Sequence, residues 1–171
     1  VGTTYEDRVL PSDFADGEKC PHYYLASSDH IDIIERAILD DVEYLFVFED
    51  DASFSPDFDE YLFRMVAALP DDWLGAMLGG QSHGDLPNLQ EFSAVIPMQE
   101  DLARVNGCLG MHAVMWNKVG MIRAFDYFTR RNRTVIDQAF SQWQKGEPKF
   151  YAPSRWIVGI DAEAIQSGKD T

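Results

Sequence analysis

Tyr44-Leu45-Phe46-Val47-Phe48-Glu49-Asp50-Asp51, followed closely by Ser55-Pro56-Asp57-Phe58, is the stretch on which the fold turns. Its first five residues form a short, uninterrupted apolar run rich in aromatic and β-branched side chains, which predicts a buried strand of a parallel sheet. Three carboxylates stand where that strand ends. Ser55 then offers a cap and Pro56 a residue suited to the first helical position, with Asp57, Asp59 and Glu60 in the first turn. The predicted helix buries Leu62, Met65, Val66 and Leu69, and Pro70 stops it.

Working outward, Ser27 and Ser28 are placed to cap an upstream helix whose apolar positions are Ile31, Ile34, Ala37 and Ile38. Residues 1–21 are polar and aperiodic and read as an irregular lead-in. Downstream, Trp73 to Leu78 reads as a strand ending in Gly79-Gly80, and residues 81–106, polar with Pro87 and Pro97, read as a long loop. Cys108 to Trp116 is another strand. Asn117 caps a helix to about Phe128, Thr134 caps one that buries Ile136, Phe140 and Trp143, and a last strand from Phe150 to Ile160 is broken by Pro153. Strands alternating with helices give one α/β layered domain over residues 1–171.

With 46% hydrophobic and 25% charged residues, the 171-residue chain has the balance of a folded domain with a core. Its formal charge of -15 disfavours nucleic acid as a partner, because phosphate neutralisation needs a basic face. The charge is uneven: residues 1–101 hold 23 acids and 4 bases, a balance of -19, while residues 102–171 hold 6 acids and 10 bases, a balance of +4. That asymmetry suits either a metal-bridged anion or a solvated acidic surface. Cys20 and Cys108 lack the spacing of a zinc site. No apolar run is long enough to span a bilayer and no signal-like segment opens the sequence, so the expected location is cytoplasmic.

Three adjacent carboxylates at a strand end repel one another, and a hard cation with oxygen ligands relieves that repulsion, phosphate oxygens completing its shell. Magnesium or manganese would then hold a diphosphate. The competing reading is a turn and helix start that simply attract acids.

The block from Tyr44 to Asp51, with Ser55 to Phe58, resembles the central segment of the family 25 glycosyltransferases, which include the lipopolysaccharide-type β-galactosyltransferases. Their pattern is an apolar strand, Glu-Asp-Asp, a short loop and a helix starting near Asp-Phe. His30 resembles part of the family's Ser-His element, with Asp29 intervening after Ser28, and Val135-Ile136-Asp137 resembles its Val-Asp element. Trp73 to Gly80, Gly107 to Trp116 and Tyr151 to Val158 resemble its later strands. The resemblance spans about residues 22–160, and the Glu-Asp-Asp block is its specific part.

The resemblance implies a GT-A-like fold with a mostly parallel central sheet flanked by helices, here without a clear match to the family's usual first strand. It also implies a transferase that moves a hexose, galactose by analogy, from a nucleotide diphosphate sugar such as a UDP-hexose to a glycan or lipid-linked acceptor. Mn2+ or Mg2+ would be held by Asp51 with Glu49. Glu49, Asp50 and His30 would contact or support the donor, and Asp137 would be the general base. Asp137 reads equally as a first-turn acid favoured by the helix dipole. Asp161 and Asp170 are weaker candidates for the base. A lipid-linked acceptor would bring at most a peripheral contact with the inner membrane, and no basic amphipathic helix marks one.

The remaining candidates read mainly as structure. Lys118, Arg123, Arg130, Arg131 and Arg133 form a basic group that reads as a solvated helix end, or else as a phosphate contact. His112, inside an apolar strand, reads as a satisfied core residue, and His83 as a loop residue within reach of the site. His22 has no metal-type partner. Trp73, Trp116, Trp143 and Trp156 are mostly core. Two rival functions remain: a catalytically inactive sugar-binding or scaffold module of the same fold, and a receiver-type domain, for which no lysine is well placed.

Overall fold

The computed structural model describes residues 21–80, 95–130 and 135–160. In chain order these form α1 (Pro21–Leu39), β1 (Tyr44–Phe48), β2 (Ala52–Phe54), α2 (Phe58–Ala68), β3 (Gly75–Met77) and β4 (Val95–Gln99). They continue with β5 (Leu102–Val105), β6 (Ala113–Asn117), α3 (Lys118–Thr129), α4 (Ile136–Gly146), β7 (Phe150–Pro153) and β8 (Val158–Ile160). The architecture is α/β: a six-stranded sheet in the order β1-β6-β3-β7-β5-β4, with β2 and β8 paired in a small second sheet.

The sheet is mixed and mostly antiparallel, which corrects the expected parallel arrangement. Among the described strands, β3 and β7 form the one parallel pair, and β1–β6, β6–β3, β7–β5 and β5–β4 are antiparallel. The reason is local. β1 and β3 do run in the same direction, joined through α2, but β6 inserts between them in the opposite direction, pairing Phe46 with Met115 on one side and Ala76 with Met115 on the other. β1 is thereby left at the edge. Its unbroken apolar sequence reflects aromatic residues on an open face and not burial on two faces.

β6, like its neighbour β3 and the next strand β7, is buried on both faces, and its side chains divide with the period of two that a strand dictates. Val114 and Trp116 enter a core covered by α1, α3 and α4, whereas Ala113 and Met115 enter a second core under α2. The first core is aromatic: Trp143 and Phe150 have centroids 4.7 Å apart, Phe140 and Phe150 5.0 Å, and Trp116 and Phe140 5.1 Å. Tilted and edge-on contacts of this kind each add about 0.5–1.5 kcal/mol beyond the area they bury.

Several helix boundaries differ from the sequence reading. α1 starts at Pro21, whose missing N–H costs nothing in the first turn, so Ser27 and Ser28 fall inside the helix. Ser27 still serves a helix start, because its Oγ accepts the backbone N–H of Ile136 at 3.0 Å, where α4 begins. α2 has Asp57 at its N-cap without a side-chain bond, and Val66 is exposed and not buried. Asn117 caps α3 as expected, its Oδ1 accepting from the N–H of Gly120 at 2.7 Å. Thr134 lies outside the described residues.

The part of the predicted long loop that is described contains the β4–β5 hairpin. Pro97 concealed it, but Pro97 lies on the edge strand at a register shift between Pro97 and Gln99, where a missing donor is tolerated. Among the described residues no helix is long and apolar enough to cross a membrane.

Candidate functional site

β1 carries the acidic triplet to one end of the sheet. The N–H of Glu49 donates to the carbonyl of His112 at 2.9 Å, holding the chain against the approach to β6 for one residue beyond the strand. The N–H of Ala52 then donates to the carbonyl of Glu49 at 3.1 Å, so Glu49-Asp50-Asp51 forms a tight turn into β2. β2 is fixed in turn by β8, Phe54 pairing with Val158.

Glu49 is the centre of the site. Its Oε1 lies 3.1 Å from His30 Nε2, on a ring that α1 buries almost completely. That hydrogen bond holds the Glu49 carboxyl below its ordinary range, against the opposing effect of burial, and the nearby His112 helps. Asp51 is shifted the other way. Burial raises it first, the charges of Glu49 and Asp50 add to the effect, and His112 opposes them. Asp50 is exposed. Asp137, in the first turn of α4, is also raised by burial, with Glu49 adding to the shift and the backbone groups of Gln138 and Gly110 countering it.

His30, Glu49, Asp51, His112 and Asp137 therefore form one electrostatic group drawn from α1, the end of β1, the acidic turn, the approach to β6 and α4. Among the described residues, six buried side-chain polar atoms have no hydrogen-bond partner, and four belong to this group: His30 Nδ1, Asp51 Oδ1, His112 Nε2 and Asp137 Oδ1. Buried polar groups are almost always satisfied, so a concentration of unsatisfied ones marks where a ligand or ordered water would complete the bonding.

His112 corrects the expectation of a satisfied core histidine. Its ring is 3% exposed and lies in a slot that only glycines leave open. A Cβ on Gly79 would fall 2.3 Å from His112 Nε2, and one on Gly110 would fall 3.3 Å from Nδ1, where the backbone also has φ of +90°. The signal available in the sequence was the glycine on either side of the ring, Gly79 and Gly110, and not the histidine itself.

The other candidates separate from the site. Lys118 bridges Asp41 and Glu43 at 2.7 and 3.2 Å, Arg123 pairs with Glu147 at 2.7 Å, and Arg130 pairs with Asp126 at 2.7 Å, so these three are surface ion pairs. Cys108 is a buried thiol that burial pushes up to about 12. Trp116 and Trp143 are core residues, while Trp73 stacks on Tyr44. Cys20, His83, Arg131, Arg133, Asp161 and Asp170 lie outside the described residues, as does the side chain of His22.

Among the described residues no three His, Cys, Asp or Glu side chains are arranged to hold a metal ion. The donor chemistry still suits a hard divalent cation. Asp51 has a buried, unpartnered oxygen and a carboxylate strained by its neighbours, and Glu49 commits one oxygen to His30. Magnesium-type sites commonly take one or two protein carboxylates and fill the shell with substrate phosphates and water.

No protein-family model matches the chain, and no curated protein matches it.

Proposed function

We propose that the protein is a metal-dependent glycosyltransferase that moves a hexose, galactose by analogy, from a nucleotide diphosphate sugar to a glycan or lipid-linked acceptor. The observation that carries the reading is the Glu49-Asp50-Asp51 turn at the end of β1, where the buried Oδ1 of Asp51 has no hydrogen-bond partner among the described residues. This fits the resemblance of the same residues to the family 25 glycosyltransferases and their GT-A-like fold. The reaction would be cytoplasmic, with at most a peripheral membrane contact for a lipid-linked acceptor.

In this reading Asp51, with Glu49, holds Mn2+ or Mg2+. When bound, the cation supplies positive charge against the anionic diphosphate that leaves. His30 fixes the Glu49 carboxylate through its 3.1 Å hydrogen bond, so that group does not reorient as the donor binds. Exposed Asp50 is placed to meet donor hydroxyls. Asp137 accepts the proton of the acceptor hydroxyl as the bond from the sugar's anomeric carbon to that oxygen forms and the bond to the diphosphate oxygen breaks. Burial suits Asp137 to this task, because a raised carboxylate holds a proton more readily at neutral pH.

The test is thermal stability in the presence of UDP, with and without manganese. A ligand at one hundred times its Kd adds about 2.7 kcal/mol to the folded state, which is several degrees for a chain of this size. Stabilisation by UDP that requires manganese and is lost in Asp51→Ala is expected. A folded protein that no nucleoside diphosphate stabilises would refute the donor site.

A further inference from the structure

We infer that Ser141 and Gln144 are positioning residues for Asp137, acting through the backbone strap that runs from Gly107 to His112. The role of Asp137 as a base rests on the transferase reading, whereas its placement by the strap does not.

The strap comes first. Gly107 and Gly110 have φ of +94° and +90°, a conformation that side chains disfavour, so the chain bends twice just before β6. Gly107 and Cys108 are buried, and their backbone polar groups need partners that a strand neighbour does not supply. α4 supplies them. Gln144 Oε1 accepts the N–H groups of Gly107 and Cys108 at 2.9 and 2.7 Å, and Ser141 Oγ donates to the Gly107 carbonyl at 3.0 Å. Gln144 Nε2 meets Met77 Sδ at 3.2 Å, which leaves the oxygen of the amide facing the strap. Both side chains are almost fully buried.

The far end of the strap reaches the site. The backbone of Gly110 hydrogen-bonds to the Asp137 carboxyl, and the His112 carbonyl accepts the N–H of Glu49 at 2.9 Å. Asp137, Ser141 and Gln144 stand at i, i+4 and i+7 of α4 and so share one face of the helix. That face holds the strap at Gly107 and meets it again at Gly110, with Cys108 and Leu109 between. Asp137 Oδ1 is buried without a hydrogen-bond partner among the described residues, and it is the oxygen left open to take a proton.

A carboxyl that takes a proton from a bound hydroxyl must be held to within about 0.5 Å of its working position by neighbours that are themselves fixed. Apolar side chains at positions 141 and 144 would leave three buried backbone groups of the strap without partners, and the two glycines, free of Cβ constraint, would let it swing from α4. A shift at Gly107 would then pass to Asp137 through Gly110 and to Glu49 through His112. The same six residues thus set both carboxyl groups, one from each end of the proposed reaction.

The experiment follows amide hydrogen exchange and amide proton shifts by NMR in the whole chain, without added ligand, for Gln144→Asn, Ser141→Ala and Asp137→Asn. Gln144→Asn shortens the side chain, so its oxygen no longer reaches the strap. Exchange at Gly110 and Glu49 is expected to speed at least tenfold relative to Leu78, whose N–H donates to the Ala113 carbonyl within the sheet. A merely structural role would speed all three together and leave those ratios unchanged. The Gly110 amide proton should also shift in the direction that Asp137→Asn moves it, the mark of a loosened Asp137 contact. Ser141→Ala should change the ratios in the same sense by about threefold, and it decides the point if Gln144→Asn fails to fold. Unchanged ratios, or a Gly110 proton that answers Asp137→Asn and neither α4 variant, would overturn the proposal. No nucleotide enters these readouts. A protein that meets them but is stabilised by no nucleoside diphosphate would refute the donor site alone, and one that binds UDP with manganese but fails them would refute the positioning alone.

Discussion

Gly79→Ala probes the slot that holds His112, and its cost follows from the geometry. The added methyl would stand 2.3 Å from His112 Nε2, 2.3 Å from the Val158 carbonyl oxygen and 3.0 Å from His112 Cδ2. The ring has little room to retreat, because the residue is 3% exposed. The carbonyl cannot move freely either, since Val158 pairs with Phe54 in the second sheet and its N–H donates to Leu78 at 3.1 Å. Overpacking of this kind costs about 1–3 kcal/mol, and for 150–250 residues each kcal/mol shifts Tm by about 2–4 °C. A fall of roughly 4–12 °C by thermal melting is therefore expected, toward the upper part of that cost range. Pairing the change with His112→Ala separates the two clashes. The double variant should be more stable than the sum of the single losses predicts, by about 0.5–3 kcal/mol, yet it should not recover fully, because the Val158 carbonyl remains. A Gly79→Ala protein that melts within about 1 °C of the parent would refute the slot and the placement of the ring.

Two further outcomes test other parts of the structure. Asp137 has a folded-state value above its unfolded one, so its stability contribution is greatest below the ordinary carboxylate range and is lost as pH rises through the folded value. Asp137→Asn should thus unfold at higher urea than the parent at pH 7, by about 0.5–2 kcal/mol, and show no such advantage near pH 3; an equal gain at both pH values would refute the shift. Gln144 accepts the N–H groups of Gly107 and Cys108 through Oε1 at 2.9 and 2.7 Å. Gln144→Leu leaves both buried donors unsatisfied and should lower stability by about 2–5 kcal/mol in denaturant titration, whereas a loss under about 0.5 kcal/mol would show that the donors find other partners.

Much of the helical layer was legible because its signals are local. Ile136, Phe140 and Trp143 recur at helical spacing and are all buried, and Asn117 caps the helix it precedes. β1 was legible as a strand but not in its environment. All five of its residues are apolar, so the alternation between buried Val47 and exposed Tyr44, Phe46 and Phe48 leaves no trace in composition. Proline is an ambiguous signal in both the lead-in and the long loop, because Pro21 and Pro97 each occupy a position where the missing N–H is harmless, the first turn of a helix and a bulged edge strand. In the site, the carboxylates announced themselves by charge. His112 did not, because a satisfied and an unsatisfied histidine look alike in an apolar run, and the difference is made by Gly79, distant in sequence.

The contact that assembles the site is also one that stabilises the fold. Val135 caps α4 without a side-chain bond, and the helix takes the Ser27 hydroxyl of α1 instead. Ser27 and His30 are three residues apart on α1 and so share a face, just as Ile136 and Asp137 share the first turn of α4. Joining Ser27 to Ile136 therefore brings Asp137 as well as His30 within electrostatic reach of Glu49. The N-terminus of α4 adds partial positive charge where these carboxylates gather. Burial nevertheless outweighs it at Asp137, whose carboxyl remains above its ordinary range, while the direct hydrogen bond from His30 brings Glu49 below its own. One carboxyl is thus disposed to take up a proton and its neighbour to remain charged, the division of labour that the proposed transfer requires.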